Sequence, residues 1–302
     1  MINFGFWNVD SSGDWQKTRQ NIPQYAADLA SEHSLDLLFL IECAIPVTSL
    51  MTAFTSAQNH FSIPSAERFK VVAWFDPRFM VRMQLPVPND RVDIWHLTLP
   101  LQEEVLVALV HGPDKRNYDV TDQELFLQQV VADLSYCEQR VEHTRSIVLG
   151  DFNASPFESP VASTAGMNAV SSRRIAQGAP RRILNKSFAY FYNPMWNLFG
   201  DARGNGVPAT YYYRKSYLYW HMLDQVLIRP SLIERFDFTA LQVVTELKNA
   251  QLIGADGVPN RKTISDHLPV TFGLNLSRTD DGGKNVGQSV AGLRGVGSSS
   301  IA

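Results

Sequence analysis

Residues 147–156 read IVLGDFNASP. An apolar run, Ile147 to Leu149, meets a glycine and then delivers Asp151 and Asn153 before the chain turns at Pro156. In an extended chain, residues two apart share a face. Asp151 and Asn153 are therefore expected to point the same way, one carboxylate beside one amide. The same residues also make an ordinary turn, because Asp and Asn side chains bond the backbone two residues on. What separates a turn from a site is whether other buried strands end in the same kind of chemistry.

They do. Ile2–Val9 reads as a strand that delivers Asn8 and Asp10, and LDLLFLIE (Leu35–Glu42) ends on a carboxylate. EVLVALVHG (Glu104–Gly112) ends on His111, and MLDQVLIRP (Met222–Pro230) carries Asp224 near its start. ISDHLPV places Asp266 and His267 just ahead of a last strand, Leu268–Leu276. Phe69–Phe75 and Arg91–Leu99 alternate as half-buried strands do, and Leu241–Leu247 is a further candidate. Helical spacing covers Trp15–His33, through Ile22, Tyr25, Ala26, Leu29 and Ala30 with Pro23 early in the run. A second helix covers Asp122–Arg140, its stripe being Leu125, Phe126, Val130, Leu134 and Cys137. Polar groups gathered at one rim of packed sheets are how such folds build sites.

Bulk properties set limits on function. The 302 residues are 45% hydrophobic and 19% charged, ordinary values for a soluble enzyme. Net charge is −3, so a nucleic-acid partner needs a local basic patch. Cys43 and Cys137 form no CxxC and no disulfide framework, which fits a reducing compartment, and a cytoplasmic location is expected. MINFGFWNVD has neither the basic nor the apolar region of a leader, so none is expected. No apolar run is long enough to span a bilayer, and no stable membrane association is expected. Residues 1–276 read as one catalytic domain, and the Gly/Ser-rich 277–302 as a disordered tail.

Taken in order, WNVD, LIECA, VHGPD, GDFNASP, LDQVLI and SDHLPV resemble the motif series of the endonuclease/exonuclease/phosphatase superfamily, the deoxyribonuclease I-like proteins. The resemblance runs from Asn8 to His267, and its specific part is GDFN followed by SDH-apolar-Pro. It implies an α+β fold, a four-layer α/β/β/α sandwich of two mostly antiparallel sheets flanked by helices. It also implies phosphate-ester hydrolysis with Mg2+ or Mn2+. Carried over residue by residue, the metal set is Glu42, Asn8, Asp10 and Asp266. Asp151 would orient or deprotonate the attacking water, and Asn153 would hold the phosphate in line. His267 would bind a non-bridging oxygen, with Asp224 fixing its ring. His111 matches the branch that resembles deoxyribonuclease I, the sphingomyelinases and the phosphoinositide phosphatases; abasic-site repair enzymes carry a tyrosine nearby, although WNVD is typical of that repair group. Leu223, where a basic residue is common, and Gly112-Pro113 after the histidine depart from the pattern.

Between Ser159 and Leu223 the chain concentrates cations, among them Arg173, Arg174, Arg181, Arg182 and Lys186, against a single acid, Asp201. Aromatics are interleaved, including Tyr211–Tyr213, Tyr217, Tyr219 and Trp220. Phosphate neutralisation and stacking platforms are what a nucleic-acid strand requires. The equally open alternative is a basic loop over a small core of its own. The expectation is a Mg2+-dependent nuclease acting on DNA. A phosphatase or phosphodiesterase for a phospholipid, phosphoinositide or small nucleotide is the second reading, and a catalytically silent binding module the third.

Overall fold

The computed structural model describes residues 1–11, 19–56, 69–73, 79–202 and 206–276. Residues 15–18 of the expected Trp15–His33 helix, the end of the Phe69–Phe75 strand and the tail 277–302 lie outside the described residues; residues 19–21 form a turn, and the helix starts at Ile22, where Pro23 suits a first turn. The strands are β1 (Ile2–Asn8), β2 (Leu37–Ile41), β3 (Phe69–Ala73), β4 (Met80–Arg82), β5 (Val92–Thr98), β6 (Glu104–His111), β7 (Ser146–Asp151), β8 (Ala169–Val170), β9 (Arg181–Ile183), β10 (Lys186–Phe188), β11 (Phe191–Tyr192), β12 (Tyr211–Tyr212), β13 (Trp220–His221), β14 (Asp224–Ile228), β15 (Phe236–Val243), β16 (Glu246–Leu247), β17 (Ala250–Gln251) and β18 (Val270–Leu274). The helices of ten or more residues are α1 (Ile22–Glu32), α2 (Val47–Ser56) and α3 (Val120–Arg140).

One sheet has five strands in the order β15-β18-β1-β2-β3, the other seven in the order β4-β5-β6-β7-β14-β11-β8. Pairing is antiparallel except for β1/β2, β6/β7 and β11/β8. The central strands are apolar runs rather than alternating ones because both their faces are covered. Val107, Leu109, Ile147, Leu149, Val226 and Ile228 join Phe4, Phe6, Leu38 and Leu40 in a core that holds the two sheets together. The intervening Leu106, Ala108, Val110, Val148 and Leu227 pack instead with Leu127, Val130, Leu134 and Cys137 of α3. Ile22, Ala26, Leu29 and Ala30 of α1 and Leu50 and Phe54 of α2 belong to the core of the five-stranded sheet. Four layers result, as the motif series implies.

Three local expectations are corrected. α3 begins at Val120, where Asp119 and Asp122 form a reciprocal cap, two residues before the expected start. Leu125 is exposed, because it stands two residues, or about 200° of helix, from Leu127 on the buried stripe. The late strand is Phe236–Val243 rather than Leu241–Leu247, which is interrupted by the small β16/β17 hairpin.

Under β14 the fold holds a buried ion pair. Arg229 donates to both oxygens of Glu138, at 2.8 and 3.1 Å, and lies 4.0 Å over the ring of Phe191. Removing one partner strands a charge in the core. Arg229→Met is therefore expected to lose about 3–5 kcal/mol by urea denaturation, and Glu138→Leu with Arg229→Met to recover most of it. Equal losses in the single and double variants would show that packing, not charge, sets the cost.

Candidate active site

Strand direction decides which residues meet. β1 and β2 run parallel in register Asn8↔Ile41, so Asn8 and Glu42 leave the same rim. β6 and β7 run parallel with His111 opposite Asp151, and β14 runs antiparallel with Asp224 opposite Asp151. β18 is antiparallel to β1, so the residues that precede it, Asp266 and His267, return to that rim. The Trp7 indole donates to the His267 carbonyl at 3.0 Å across the sheet. Strands that end and strands that begin thus deliver their termini to one place.

Glycines permit the approach. A Cβ on Gly150 would lie 1.9 Å from the Val110 carbonyl oxygen, and one on Gly112 would lie 2.3 Å from that of Phe152. Both are backbone atoms of the β6/β7 seam, so no side chain fits there. This is why the motif needs a glycine ahead of Asp151.

The side chains form a linked series, hydrogen-bonded except for one charge contact between His267 and Asp151. His111 Nε2 lies 3.1 Å from Glu42 Oε1, which also accepts from the Asn8 amide at 3.2 Å. The same amide nitrogen donates to Asp151 Oδ2 at 3.2 Å. His267 Nε2 stands 3.8 Å from Asp151 Oδ2, while its Nδ1 bonds Asp224 Oδ2 at 2.8 Å. Asp224, Asp151 and Asn8 are buried, and Glu42 keeps an open side toward the cleft. Backbone contacts fix the set. Ser265 Oγ donates to the Asn8 carbonyl at 2.8 Å and accepts from the His267 amide at 3.1 Å, and the Asp224 amide donates to Thr210 Oγ1. Asp10, Glu42 and Asn153 all have left-handed backbone, with φ of 39°, 49° and 51°. For Glu42 this costs roughly 1–2 kcal/mol, offset by the bonds that Ser11 makes to its carbonyl.

Charge is arranged as tightly as geometry. Burial pushes the Glu42 carboxyl up, but the His111 bond and charge, the Asn8 amide and the His267 charge outweigh it and hold it down at about 2. Burial raises Asp151, against the charge of His267. Burial opposes the charged form of His267, and the carboxylates of Asp224 and Asp151 override it, so the imidazolium persists. Burial also raises Asp266, which His267 lowers and Asp10 and Glu42 raise.

The cleft above this floor is about 880 Å³, the size of a ligand site. Asn8, Asp10, Glu42, His111, Asp151, Asn153, Asp266 and His267 line it. Asp224 lies behind His267. Asp10 is already engaged by Arg19 at 2.8 Å. Asn153 is not a continuation of the strand: β7 ends at Asp151, whose Oδ1 accepts from the Asn153 amide at 2.8 Å, and the Asn153 side chain donates to the Gly112 carbonyl at 3.0 Å. The two residues share the cleft through a turn, not through the period-two spacing.

The basic segment lies elsewhere. Tyr192 pairs with Ile228, at the end of β14 remote from Asp224, and Asn168 bonds the carbonyls of Phe188 and Ala189 next to it. The β9/β10 hairpin that carries Arg181, Arg182 and Lys186 therefore emerges at the opposite rim, and Arg173 lies 5.0 Å over Phe238. None of Arg173, Arg174, Arg181, Arg182 and Lys186 lines the cleft. The cations that do are Arg91, Lys115 and Arg116, with Tyr211, Tyr213 and Tyr217 from the aromatic hairpin. The Tyr211 ring centroid is 4.8 Å from that of His267. Lys115 and Arg116 stand in DKRN, three to six residues after His111.

No family model matches the sequence, and a search of curated proteins finds no relative. Solved structures do match. An AP endonuclease from Archaeoglobus fulgidus superposes with a TM-score of 0.54 at 14% identity, over 91% of this chain and 100% of that one. A variant of the 3′ phosphatase NExo from Neisseria, bound to a product DNA hairpin, gives 0.52 at 15% identity, over 91% and 100%. D. rerio TDP2 complexed with a single-strand DNA product gives 0.52 at 14% identity, over 91% and 98%. The chain has the deoxyribonuclease I-like fold of the endonuclease/exonuclease/phosphatase superfamily, the one its strand-end motifs resemble.

Proposed function

We propose that this protein is a metal-dependent phosphodiesterase that hydrolyses nucleic-acid phosphodiester bonds, DNA foremost. The observation that carries the reading is the linked series of hydrogen bonds and charge contacts from Asp224 through His267, Asp151, Asn8 and Glu42 to His111 on the floor of one cleft. Two structural neighbours hold DNA products, which supports the substrate class.

The donor set fits a hard divalent cation. Glu42 is ionised, has one oxygen engaged by Asn8 and His111, and opens to the cleft. Asp266, raised by burial and by the charges of Asp10 and Glu42 against the pull of His267, faces the same space, so three carboxylates crowd one side of the cleft. Glu42 would be the main ligand of Mg2+ or Mn2+, with Asp266 the second contact and Asn8 and Asp10 around them. Bound there, the ion would neutralise phosphate charge and ease departure of the leaving oxygen.

The chain's own groups perform the rest. Asp151 is held by Asn8 and by the Asn153 amide, and its raised carboxyl suits a base that takes the proton of an attacking water. His267, kept cationic by Asp224, presents Nε2 to the cleft and donates to a non-bridging phosphate oxygen as charge accumulates. Arg91, Lys115 and Arg116 attract the flanking phosphates, and Tyr213 and Tyr217 offer faces to bases.

Incubation with plasmid DNA, RNA and a phosphoinositide panel, each with Mg2+ or EDTA, tests this. Cleavage of DNA with Mg2+ and none with EDTA is expected. Glu42→Gln should lower the rate about 10²–10³-fold, the several kcal/mol that the ion supplies. Cleavage of a phosphoinositide in place of nucleic acid would move the chain to the lipid branch. No hydrolysis of any substrate, with wild type and Glu42→Gln alike, would leave a binding module.

A further inference from the structure

The β5/β6 hairpin carries a second cluster at the rim opposite the cleft. Glu104 opens β6 and His111 closes it, so seven residue steps, about 23 Å, separate the two places. In the antiparallel register Thr98 faces Glu104 and His96 faces Leu106, which puts His96 diagonally beside Glu104 on one face. His143 arrives from the turn between α3 and β7. His96 Nε2 lies 3.7 Å from Glu104 Oε1 and His143 Nε2 lies 3.9 Å from Glu104 Oε2, with the two rings 5.9 Å apart. These spacings are too long for hydrogen bonds. Both Nε2 atoms are buried with no hydrogen-bond partner, and the His143 side chain is only 6% exposed. Buried polar atoms seldom go unsatisfied, so each such atom asks for an explanation.

We propose that His96, Glu104 and His143 form a second divalent-metal site, of the kind that takes Zn2+, which ties the α3–β7 turn to the β5/β6 hairpin. One donor atom from each of the three side chains lies within 4.8 Å of the others; donors on a tetrahedral ion with bonds near 2.0–2.1 Å stand about 3.3–3.5 Å apart, so the ion seats as the three side chains draw inward. One carboxylate spans both imidazoles, and the half-exposed Glu104 side leaves a fourth position to water. Burial, with Arg145 and His96 beside it, pulls His143 down to about 4, which leaves its ring neutral and able to ligate. Arg145 Nε donates to the Glu104 carbonyl at 2.8 Å and its Nη2 lies 4.0 Å from the carboxylate, which holds Glu104 in place. His143 Nδ1 accepts from the Arg145 amide at 3.2 Å, and ligation through Nε2 exchanges this contact for a protonated Nδ1.

Calorimetric titration of metal-stripped protein with Zn2+ tests the site, run alongside Co2+ absorption. Wild type is expected to take up one equivalent more than His96→Gln or Glu104→Gln, and to show tetrahedral Co2+ bands that both variants lose. Zn2+ should raise the melting temperature of wild type above its effect on either variant. These substitutions spare the buried His143, and Mg2+-dependent hydrolysis should be unchanged in them. The same Zn2+ stoichiometry and the same Co2+ spectrum in wild type and both variants would overturn the proposal.

Discussion

Asp224→Asn is expected to lower kcat about 10²–10⁴-fold while the fold survives, the range for losing the group that orients a catalytic histidine. Asp224 never reaches the cleft. It is fully buried, and one of its oxygens bonds His267 Nδ1 at 2.8 Å. Its charge is the largest influence that keeps His267 protonated against burial. An asparagine keeps the shape and removes the charge, so the imidazolium pKa falls and the group that meets the phosphate gives up its proton at lower pH. Wild-type kcat/KM should hold well above pH 6.5, the ordinary histidine value, and decline only as His267 finally loses its proton. In the variant that alkaline limb should move to lower pH. Stability follows the same sign. A histidine whose folded pKa is raised contributes in full below 6.5, and that contribution fades as pH rises through the folded value. The stability gap between wild type and variant should therefore be widest below pH 6.5 and close at alkaline pH. An unmoved alkaline limb would mean that some other group sustains the charge on His267.

How far the sequence reaches depends on what each inference needed. The runs at β6 and β7 were legible because a strand covered on both faces must be apolar throughout, and that leaves a mark no single alternation can hide. The rim residues were legible for a related reason: a polar group that ends such a run has nowhere to go but the edge. Asn153 was placed in the cleft on a wrong premise. Period two holds only while the strand lasts, and Asp151 ends it by bonding the Asn153 amide itself. The turn reading and the site reading of GDFN are both true, and the turn is what aims the site. Leu125 failed differently, since a helix start misjudged by two residues leaves the stripe underdetermined. The basic segment lies away from the cleft for a reason composition does not carry. Charge density is visible in a sequence, but which rim a hairpin leaves from is set by the antiparallel pairing of β11 with β14, and no composition reveals that. The cleft cations Arg91, Lys115 and Arg116 were obscured because they are few and stand among acids such as Asp90 and Asp114.

Asp151→Asn carries the second large effect, and it separates the base from the framework that holds it. Asp151 meets three members of the floor: Asn8 at 3.2 Å, the Asn153 amide at 2.8 Å and His267 at 3.8 Å. The asparagine oxygen can still accept from the Asn153 amide, so the turn is kept. No proton can be taken from water, and kcat should fall about 10²–10⁴-fold with KM nearly unchanged. The pH profile assigns the cause. Burial raises the Asp151 carboxyl above its ordinary 3.8, and only the ionised form serves as base, so the wild-type rate should fall as pH drops toward that raised value. The residual rate of the variant should lack this acidic limb, because the group that titrates there is gone. A purely structural Asp151 would instead give a variant whose rate drops yet keeps the wild-type acidic limb. Glu42 cannot supply a limb in that range, since it is held at about 2 and stays ionised wherever the enzyme is assayed. Asp266, which burial also raises, is separated by its own variant: the acidic limb should persist in Asp266→Asn and vanish only in Asp151→Asn.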